Sequence, residues 1–474
     1  MTTTDNKITP VLLAGGAGSR LWPVSRDRLP KQFQPLVGAL STYQQTLKRV
    51  SDVSLYLDPL VITNEDFRFF AKRQAEEVGV HATIALEPAR RDSAAAMAIA
   101  AVVAGQRSRD GLVLALAADH VILDDDLFTE AVKVGQKAAL EGHIVVFGLA
   151  PTEPRTSYGY IKPGRAIGGV GDLYAVEAFV EKPDLVTALE YLEKGFFWNS
   201  GNFLFRADVM IAELAAYAPD ILAAAYASVE KASSGLGFLY LDKESFEASP
   251  KNSIDYAVVE RSSRIAVVRG HFPWSDIGSW DAIWEVTDKD DGKNVIEGDG
   301  LVLGSEGCLI HANGILTTVV GARDLVVVST KDAVLVVPKS HAQEVKGLVE
   351  RLKATGHKAV TELHKRTYHP WGQVEEMLRG DQFSVRRLYI DPGNRTSPQR
   401  HTNRAEHWVV VSGCATVTIG ERVRHVMENG SIHVQPGESR FIANDGQIAL
   451  ELIEIRTGSS READDVARVH EVLG

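Results

Sequence analysis

Cysteine is nearly absent from this chain: Cys308 and Cys414 are the only two among 474 residues. Two thiols so far apart cannot build a disulfide framework, and their spacing excludes a zinc ribbon. Such scarcity points to a reducing cytosol. Long apolar runs are missing as well. No segment reaches the ~20 residues that a membrane span needs. The N-terminal MTTTDNKITPVLLAGG lacks the basic segment and apolar core of an export signal. A soluble, cytoplasmic, unexported protein is therefore expected. Positive charge is in deficit, with 51 Lys and Arg against 62 Asp and Glu and a formal net charge of −11. That balance argues against general binding to nucleic-acid polymers or anionic membranes, so an anionic ligand must be met by a local cluster of cations.

What is present is ordinary globular material, 45% hydrophobic and 24% charged, which supplies apolar surface for several cores and excludes wholesale disorder. The length is roughly three times a common ~150-residue domain, so a modular chain is expected. From Ile8 to about Val286, short apolar runs alternate with segments of helical period, the pattern of an α/β domain with a mostly parallel sheet and flanking helices. Strands are expected at Thr9–Leu13, Leu60–Thr63, Leu112–Ala117, Ile144–Gly148 and Ala175–Val180, and helices at Ser93–Ala104 and Leu127–Ala139. Beyond Asp288 the texture changes. The polar stretch DKDDGKNVIEGDG leads into short β-branched runs and one helix over His341–Ala354. This reads as a β connector, possible as a β-helix, over residues 290–360, between a first domain of 1–289 and a last of 361–474. Strand-and-turn texture in the last region, as at Phe383–Tyr389, His407–Val411 and Ala415–Ile419, predicts an antiparallel barrel or jelly roll.

The first strand runs straight into Gly15-Gly16-Ala17-Gly18-Ser19-Arg20. Open α/β sheets bind ligands at the carboxyl ends of their strands. Glycines let backbone N–H groups approach phosphate oxygens, and Arg20 adds a permanently charged fork of donors. The loop has no Gly-Lys-Ser/Thr ending and no third glycine of a dinucleotide fingerprint, so it is neither of those familiar phosphate binders. A second cation, Lys31, follows in Pro30-Lys31-Gln32-Phe33.

The whole run LLAGGAGSRLWPVSRDRLPKQF resembles the signature of sugar-1-phosphate nucleotidyltransferases, and among them the mannose-1-phosphate guanylyltransferases. The resemblance continues through Glu87–Ser93, Ala118-Asp119-His120, Tyr158-Gly159-Tyr160-Ile161, Phe179–Pro183, Trp198–Gly201, Ser253–Ala257 and Trp274–Trp280. It implies a Rossmann-like transferase that moves a guanylyl group from GTP to mannose 1-phosphate by direct displacement. The attacking phosphate is already ionised, so positioning and charge compensation are needed and a general base is not. Carried over by resemblance, Arg20, Lys31 and Lys182 would be catalytic, with Arg20 on the leaving pyrophosphate and Lys31 near the α-phosphate. Leu13, Ala14, Gly15, Gly16, Gly18, Ser19, Glu87, Arg91, Asp92, Ser93 and Ala118 would bind the nucleotide. Gly159, Glu181, Asn199 and Gly201 would bind the sugar.

Asp119, after LVLALA, and Asp276, in a tryptophan-flanked turn, would hold Mg²⁺, which takes one or two carboxylates plus substrate phosphates. A helix cap for Asp119 and a turn carboxylate for Asp276 are the plain alternatives. Where the family has Gly-Arg-Asn-Thr, this chain has Arg90-Arg91-Asp92-Ser93. Aspartate can accept from guanine N1–H and the amino group, and it can equally cap the alanine-rich helix that follows.

His369–Gly372 and Gln399–Trp408 resemble the cupin domain of type II phosphomannose isomerases, which in bifunctional enzymes is fused to the transferase. Such an isomerase needs a divalent metal on imidazole and carboxylate ligands. Here His401 is followed by Thr402 and Asn403, and Arg440 stands where a ligating histidine is usual. A guanidinium offers no lone pair to a metal. The terminal arginine of active isomerases is also missing from Val472-Leu473-Gly474. A degenerate cupin is expected, with Arg440 pairing Glu406 or binding a sugar phosphate; a surviving isomerase and a non-catalytic regulatory protein are the alternatives. A homodimer is the default oligomer.

Overall fold

The computed structural model describes residues 7–16, 18–168, 171–362, 366–458 and 466–468. Ala17 of the glycine loop and the terminal Val472-Leu473-Gly474 lie outside the described residues. The chain divides into two compact units, Met1–Leu363 and His364–Gly474.

The first unit is built on an eleven-stranded sheet. In spatial order its strands are Ser233–Gly235, Phe238–Tyr240, Thr83–Glu87, Leu60–Asn64, Ile8–Ala14, Leu112–Ala117, Phe197–Arg206, Ile144–Leu149, Ile265–Gly270, Leu173–Glu181 and Gly159–Ala166. Ile8–Ala14 is central and pairs in parallel with the strands at 60–64 and 112–117. Phe197–Arg206 runs antiparallel to both of its flanking strands, so the sheet is mixed and its parallel character is concentrated around the glycine loop. This central strand is buried on both faces, which explains its unbroken apolar run VLLA. The alanine-rich helix Asp92–Arg107 packs with nearly every residue of its middle buried. Small side chains there let helix and sheet approach closely.

The connector winds as a parallel coil. Val295–Leu303 pairs in parallel with Leu309–Val320, and that strand with Leu325–Ser329, so Val295 stacks on Leu309 and Leu309 on Val326. Consecutive strands joined by such short links cannot lie flat in parallel, because a flat parallel pair needs a crossover of a dozen or more residues. A β-helical winding satisfies the pairing. The helix expected over 341–354 is a 3-10 turn, Lys339–Glu344, continuing into an α-helix, Val345–Ala354. Although texture changes near residue 290, packing does not. Leu309, Val326, Val328, Val345 and Val349 share one buried core with Leu21, Trp22, Ile277 and Trp280. Connector and α/β domain are therefore one body.

The second unit is an antiparallel double sheet. One sheet runs through Arg366–His369, Gly372–Arg379, Phe383–Ile390, Leu450–Thr457, Ala405–Ser412 and Ser431–Val434. The other runs through Arg422–Val426, Ala415–Ile419, Ser439–Ala443, Gln399–His401 and Val466–Arg468. Inward residues such as Leu388, Trp408, Val417 and Leu452 fill the space between them. This is the jelly-roll form of a cupin.

Candidate active site

The glycine loop leaves the central strand at its carboxyl end, and its shape is held by residues that follow it. Gln32, fully buried, donates through Nε2 to the carbonyls of Ala14 at 3.0 Å and Gly16 at 3.2 Å. Thr63 donates to Ala14 O at 2.9 Å, and Ala118 N to Leu13 O at 3.1 Å. Gly18 has φ of 64°, and a Cβ there would sit 2.8 Å from Lys31 Cγ. Only glycine fits both the left-handed backbone and that approach. The next residues form a 3-10 turn, Ser19–Leu21, which presents Arg20.

Arg20, Lys31, Asp119 and Asp276 line one crevice of 360 Å³ together with Gly18, Ser19, His120, Gly278 and Lys346. Lys31 is buried and bridges the two acidic residues. Its Nζ lies 3.0 Å from Asp119 Oδ2 and donates to the main-chain carbonyl of Asp276 at 2.7 Å. Burial alone would raise the Asp119 carboxyl, but Lys31 and His120 hold it below the usual aspartate range. Asp276 Oδ1 accepts from Tyr158 OH at 2.8 Å and Gly278 N at 3.1 Å. His120 Nδ1 accepts from Trp274 Nε1 at 3.3 Å. Indole N–H only donates, so Nδ1 is the accepting nitrogen of the ring; burial lowers the pKa of His120. Among the described residues Arg20 makes no side-chain hydrogen bond or ion pair.

The residues predicted for the sugar form a second cluster. Glu181 Oε1 accepts from Lys182 Nζ at 2.6 Å, and a Cβ on Gly159 would fall 2.6 Å from Glu181 Oε2, so the glycine makes room for that carboxylate. Asn199 Oδ1 accepts from Gly201 N at 3.1 Å, while its Nδ2 donates to Asp255 Oδ1 at 3.4 Å. Burial, reinforced by the nearby Glu181, pushes Asp255 up to about 7. Gly201 lies against the His120 ring, with 3.4 Å between His120 Cε1 and the position a Cβ would take. His120 thus joins this cluster to the crevice.

The base segment divides. Glu87 ends its strand beside Gly15, 3.6 Å from where a Cβ would lie, and burial pushes its carboxyl up to about 8. Arg91 turns the other way and donates to Glu247 O at 2.7 Å. Ser93 is committed to structure, its Oγ accepting from Ile254 N at 2.9 Å. Asp92 makes no capping bond: the helix begins after Arg91 without a side-chain cap, and Asp92 itself is exposed with φ of 59°. The capping alternative is therefore not what this residue does.

Hard oxygen ligands fit a divalent cation here. Asp119 and Asp276, from distant chain positions, line the same cavity, and Asp276 Oδ2 accepts no hydrogen bond among the described residues. The described residues hold no group of three His, Cys, Asp or Glu side chains suited to a metal.

Comparison with known proteins now adds to this geometry. The nucleotidyl transferase family model matches residues 9–293, a β-helix model described as MannoseP isomerase/GMP-like matches 298–352, and the mannose-6-phosphate isomerase C-terminal model matches 356–471. A mannose-1-phosphate guanylyltransferase of Sinorhizobium fredii is 45% identical over 98% of this chain and 91% of its own length. The chain belongs to the mannose-1-phosphate guanylyltransferase family. Another member, from Escherichia coli K12, is 43% identical over 99% of both chains. A solved structure from Thermus thermophilus, described as a mannose-1-phosphate geranyltransferase, superposes with a TM-score of 0.64 at 36% identity, over 73% of this chain and 99% of that one. Enzymes of the nucleotidyltransferase class use divalent metal ions, which agrees with the carboxylate pair.

Sequence reasoning missed what braces this guanylyltransferase signature. Arg26 holds Asp332 in a two-pronged pair at 2.8 and 2.6 Å, Trp22 Nε1 donates to Val360 O at 2.8 Å, and Lys353 donates to Asp27 at 2.5 Å. All three partners lie in the connector. No local pattern announces such pairings, because they depend on how the coil docks.

In the second unit, Arg440 lines the cupin cavity of 460 Å³ with Arg386, His401, Glu454 and Arg456. It donates through Nε and Nη2 to Glu406 at 2.8 and 2.5 Å, with both side chains buried. His401 Nε2 and Arg456 Nε each lie 3.2 Å from the same carboxylate. Burial would raise Glu406, but His401, Arg440 and Arg456 hold it far below the carboxylate range. Arg386 and Trp408 both donate to Glu454. Two retained ligand-type residues are thus engaged by guanidinium groups.

Proposed function

We propose that the crevice joins GTP and mannose 1-phosphate to give GDP-mannose and pyrophosphate, for polysaccharide or glycoconjugate synthesis. The observation that carries this reading is the Lys31 bridge: one buried ammonium holds Asp119 and the Asp276 backbone together beside a glycine loop bearing an unpaired Arg20. Loop N–H groups receive the triphosphate. Asp92 and Glu87 accept from the guanine edge. Glu181, Asn199 and Gly201 seat the hexose, and Lys182 meets its phosphate. Asp119 and Asp276 would hold Mg²⁺, which when bound supplies positive charge to the reacting phosphates. The sugar phosphate oxygen forms a bond to the α-phosphorus as the bond to the β-phosphate oxygen breaks. The electron pair departs on pyrophosphate, and no proton need move. Lys31 keeps the Asp119 carboxylate ionised and anchors the Asp276 backbone, and Arg20 meets the charge that leaves.

The functional parts proposed are residues 1–289 for transfer, 290–360 as brace, and 361–474 as a cupin without isomerase chemistry, since Arg440 fills the place a metal would need. Assaying GTP, ATP, UTP and dTTP side by side with mannose 1-phosphate and glucose 1-phosphate tests the reading. Fastest product formation is expected for GTP with mannose 1-phosphate; no product from that pair overturns it. Interconversion of mannose 6-phosphate and fructose 6-phosphate, with Co²⁺ or Zn²⁺ added, would overturn the reading of Arg440.

A further inference from the structure

One cation of the crevice comes from outside the α/β domain. Lys346 is the second residue of the connector helix Val345–Ala354 and lines the cavity with Gly18, Ser19 and Arg20. Its placement follows from its neighbours. Val345 and Val349, one helical turn apart, are buried in the core that also contains Leu21, so the helix is seated against the 3-10 turn that carries Arg20. Lys346 is thereby presented at the rim of the crevice on the Arg20 side. None of the sugar-cluster residues Glu181, Lys182, Asn199 or Gly201 lines this cavity.

The charges of the crevice sort by what already satisfies them. Lys31 is spent on Asp119 and on the Asp276 carbonyl. Lys182, in the sugar cluster, is held by Glu181. Among the described residues Lys346 has only Glu350, one turn along its own helix and exposed, at 3.9 Å, which is longer than a hydrogen bond. Two cations, Arg20 and Lys346, therefore face the cavity without a close carboxylate. Both line the cavity from which the sugar-cluster residues are absent.

We propose that Lys346, supplied by the β-helical connector, binds the β- and γ-phosphates of GTP together with Arg20 and stabilises the departing pyrophosphate. This rests on the guanylyltransferase reading. As the bond from the α-phosphorus to the bridging oxygen breaks, negative charge accumulates on the β-phosphate, and a cation already positioned there lowers the barrier without reorganisation. A lysine suits the task because its compact charge and flexible stem can follow the leaving group out. The connector then has two roles: it braces the signature loop and completes its charge.

The test uses the full-length chain as wild type, K346A and K346R, with Mg²⁺ in all buffers. Calorimetric titration with inorganic pyrophosphate should show binding about tenfold weaker in K346A, the loss expected for one charge-assisted contact. In steady state, kcat/KM for GTP should fall about 10- to 100-fold while KM for mannose 1-phosphate stays within about twofold. K346R should recover most of both, and thermal unfolding should superimpose on wild type because the side chain is exposed. Unchanged pyrophosphate affinity and unchanged GTP kinetics in K346A overturn the proposal. So does a K346R variant as impaired as K346A with a lowered unfolding temperature, which would make the residue structural. If wild type forms no GDP-mannose, the guanylyltransferase reading falls, while the pyrophosphate titration still decides whether Lys346 binds the anion.

Discussion

Each unit of this molecule contains a polar cavity lined by arginine and carboxylate side chains, one of 360 Å³ beside the glycine loop and one of 460 Å³ inside the cupin. They differ in how their charges are spent. In the cupin, Arg440 and Arg456 converge on Glu406 and Arg386 donates to Glu454, so each of these guanidinium groups already has a carboxylate beside it. In the transferase crevice, one lysine serves two aspartates and Arg20 is left over. Closed ion networks are structure, whereas an open imbalance of fixed charge is a demand for a ligand. Composition cannot distinguish the two, since both are built from the same residue types.

The comparison can be broken most directly at Asp119. Asp119→Asn keeps the shape but removes a charge that Lys31 and a divalent cation both need, so GDP-mannose formation should fall by at least about 100-fold, read by pyrophosphate release. Near-normal turnover would mean the crevice is as closed as the cupin. Next in size is Arg440→Ala, which leaves Glu406 buried without its two-pronged partner. Breaking such a pair typically costs about 3–5 kcal/mol, and His401 and Arg456 should keep the loss at the lower end. Denaturant unfolding of the cupin should show it, with GDP-mannose synthesis unchanged. A converse experiment uses Arg440→His, which would place an imidazole with His401 and Glu406; elemental analysis should then find more bound divalent metal than in wild type.

Smaller effects probe the base segment. Asp92→Ala should reduce the GTP-over-ATP ratio of kcat/KM about tenfold, the size of a lost charge-assisted hydrogen bond; an unchanged ratio removes Asp92 from base recognition. Separate from these is a pH effect on stability at Glu87. Burial raises its carboxyl from 4.5 to about 8, so the folded protein keeps a proton that the unfolded chain has lost at neutral pH. A raised carboxyl destabilises the fold progressively as pH climbs from its unfolded value to its folded one, and the penalty is complete above about 8. Glu87→Gln removes the penalty. Its unfolding temperature should gain on wild type across that window, and parallel curves would refute the buried, protonated state.

Much of this was legible in the chain itself because it is local. The apolar run before Gly15 is a strand because it is buried on both faces, and Gly18 is glycine because its backbone is left-handed and Lys31 presses against it. The degenerate cupin was visible because an arginine cannot ligate a metal whatever surrounds it. The partners of neighbouring side chains were not legible in the same way. Arg91 belongs to Glu247 O and Ser93 to Ile254 N, since neighbours in sequence point to different faces of the turn.

Local sequence sets the chemistry on offer: a glycine loop ending in an arginine, separated carboxylates, and a cupin that carries Arg440 beside Glu406. Periodicity, glycine placement and side-chain lone pairs are properties of short segments, and they survive without a fold. Only the tertiary structure decided which of those groups meet. Lys31 between Asp119 and Asp276, Asp332 under Arg26, and Lys346 in one cavity with Arg20 bring together parts of the chain far apart in sequence. They exist because one hydrophobic core spans the change of texture near residue 290, and burial of apolar surface takes no account of where a segment's composition shifts.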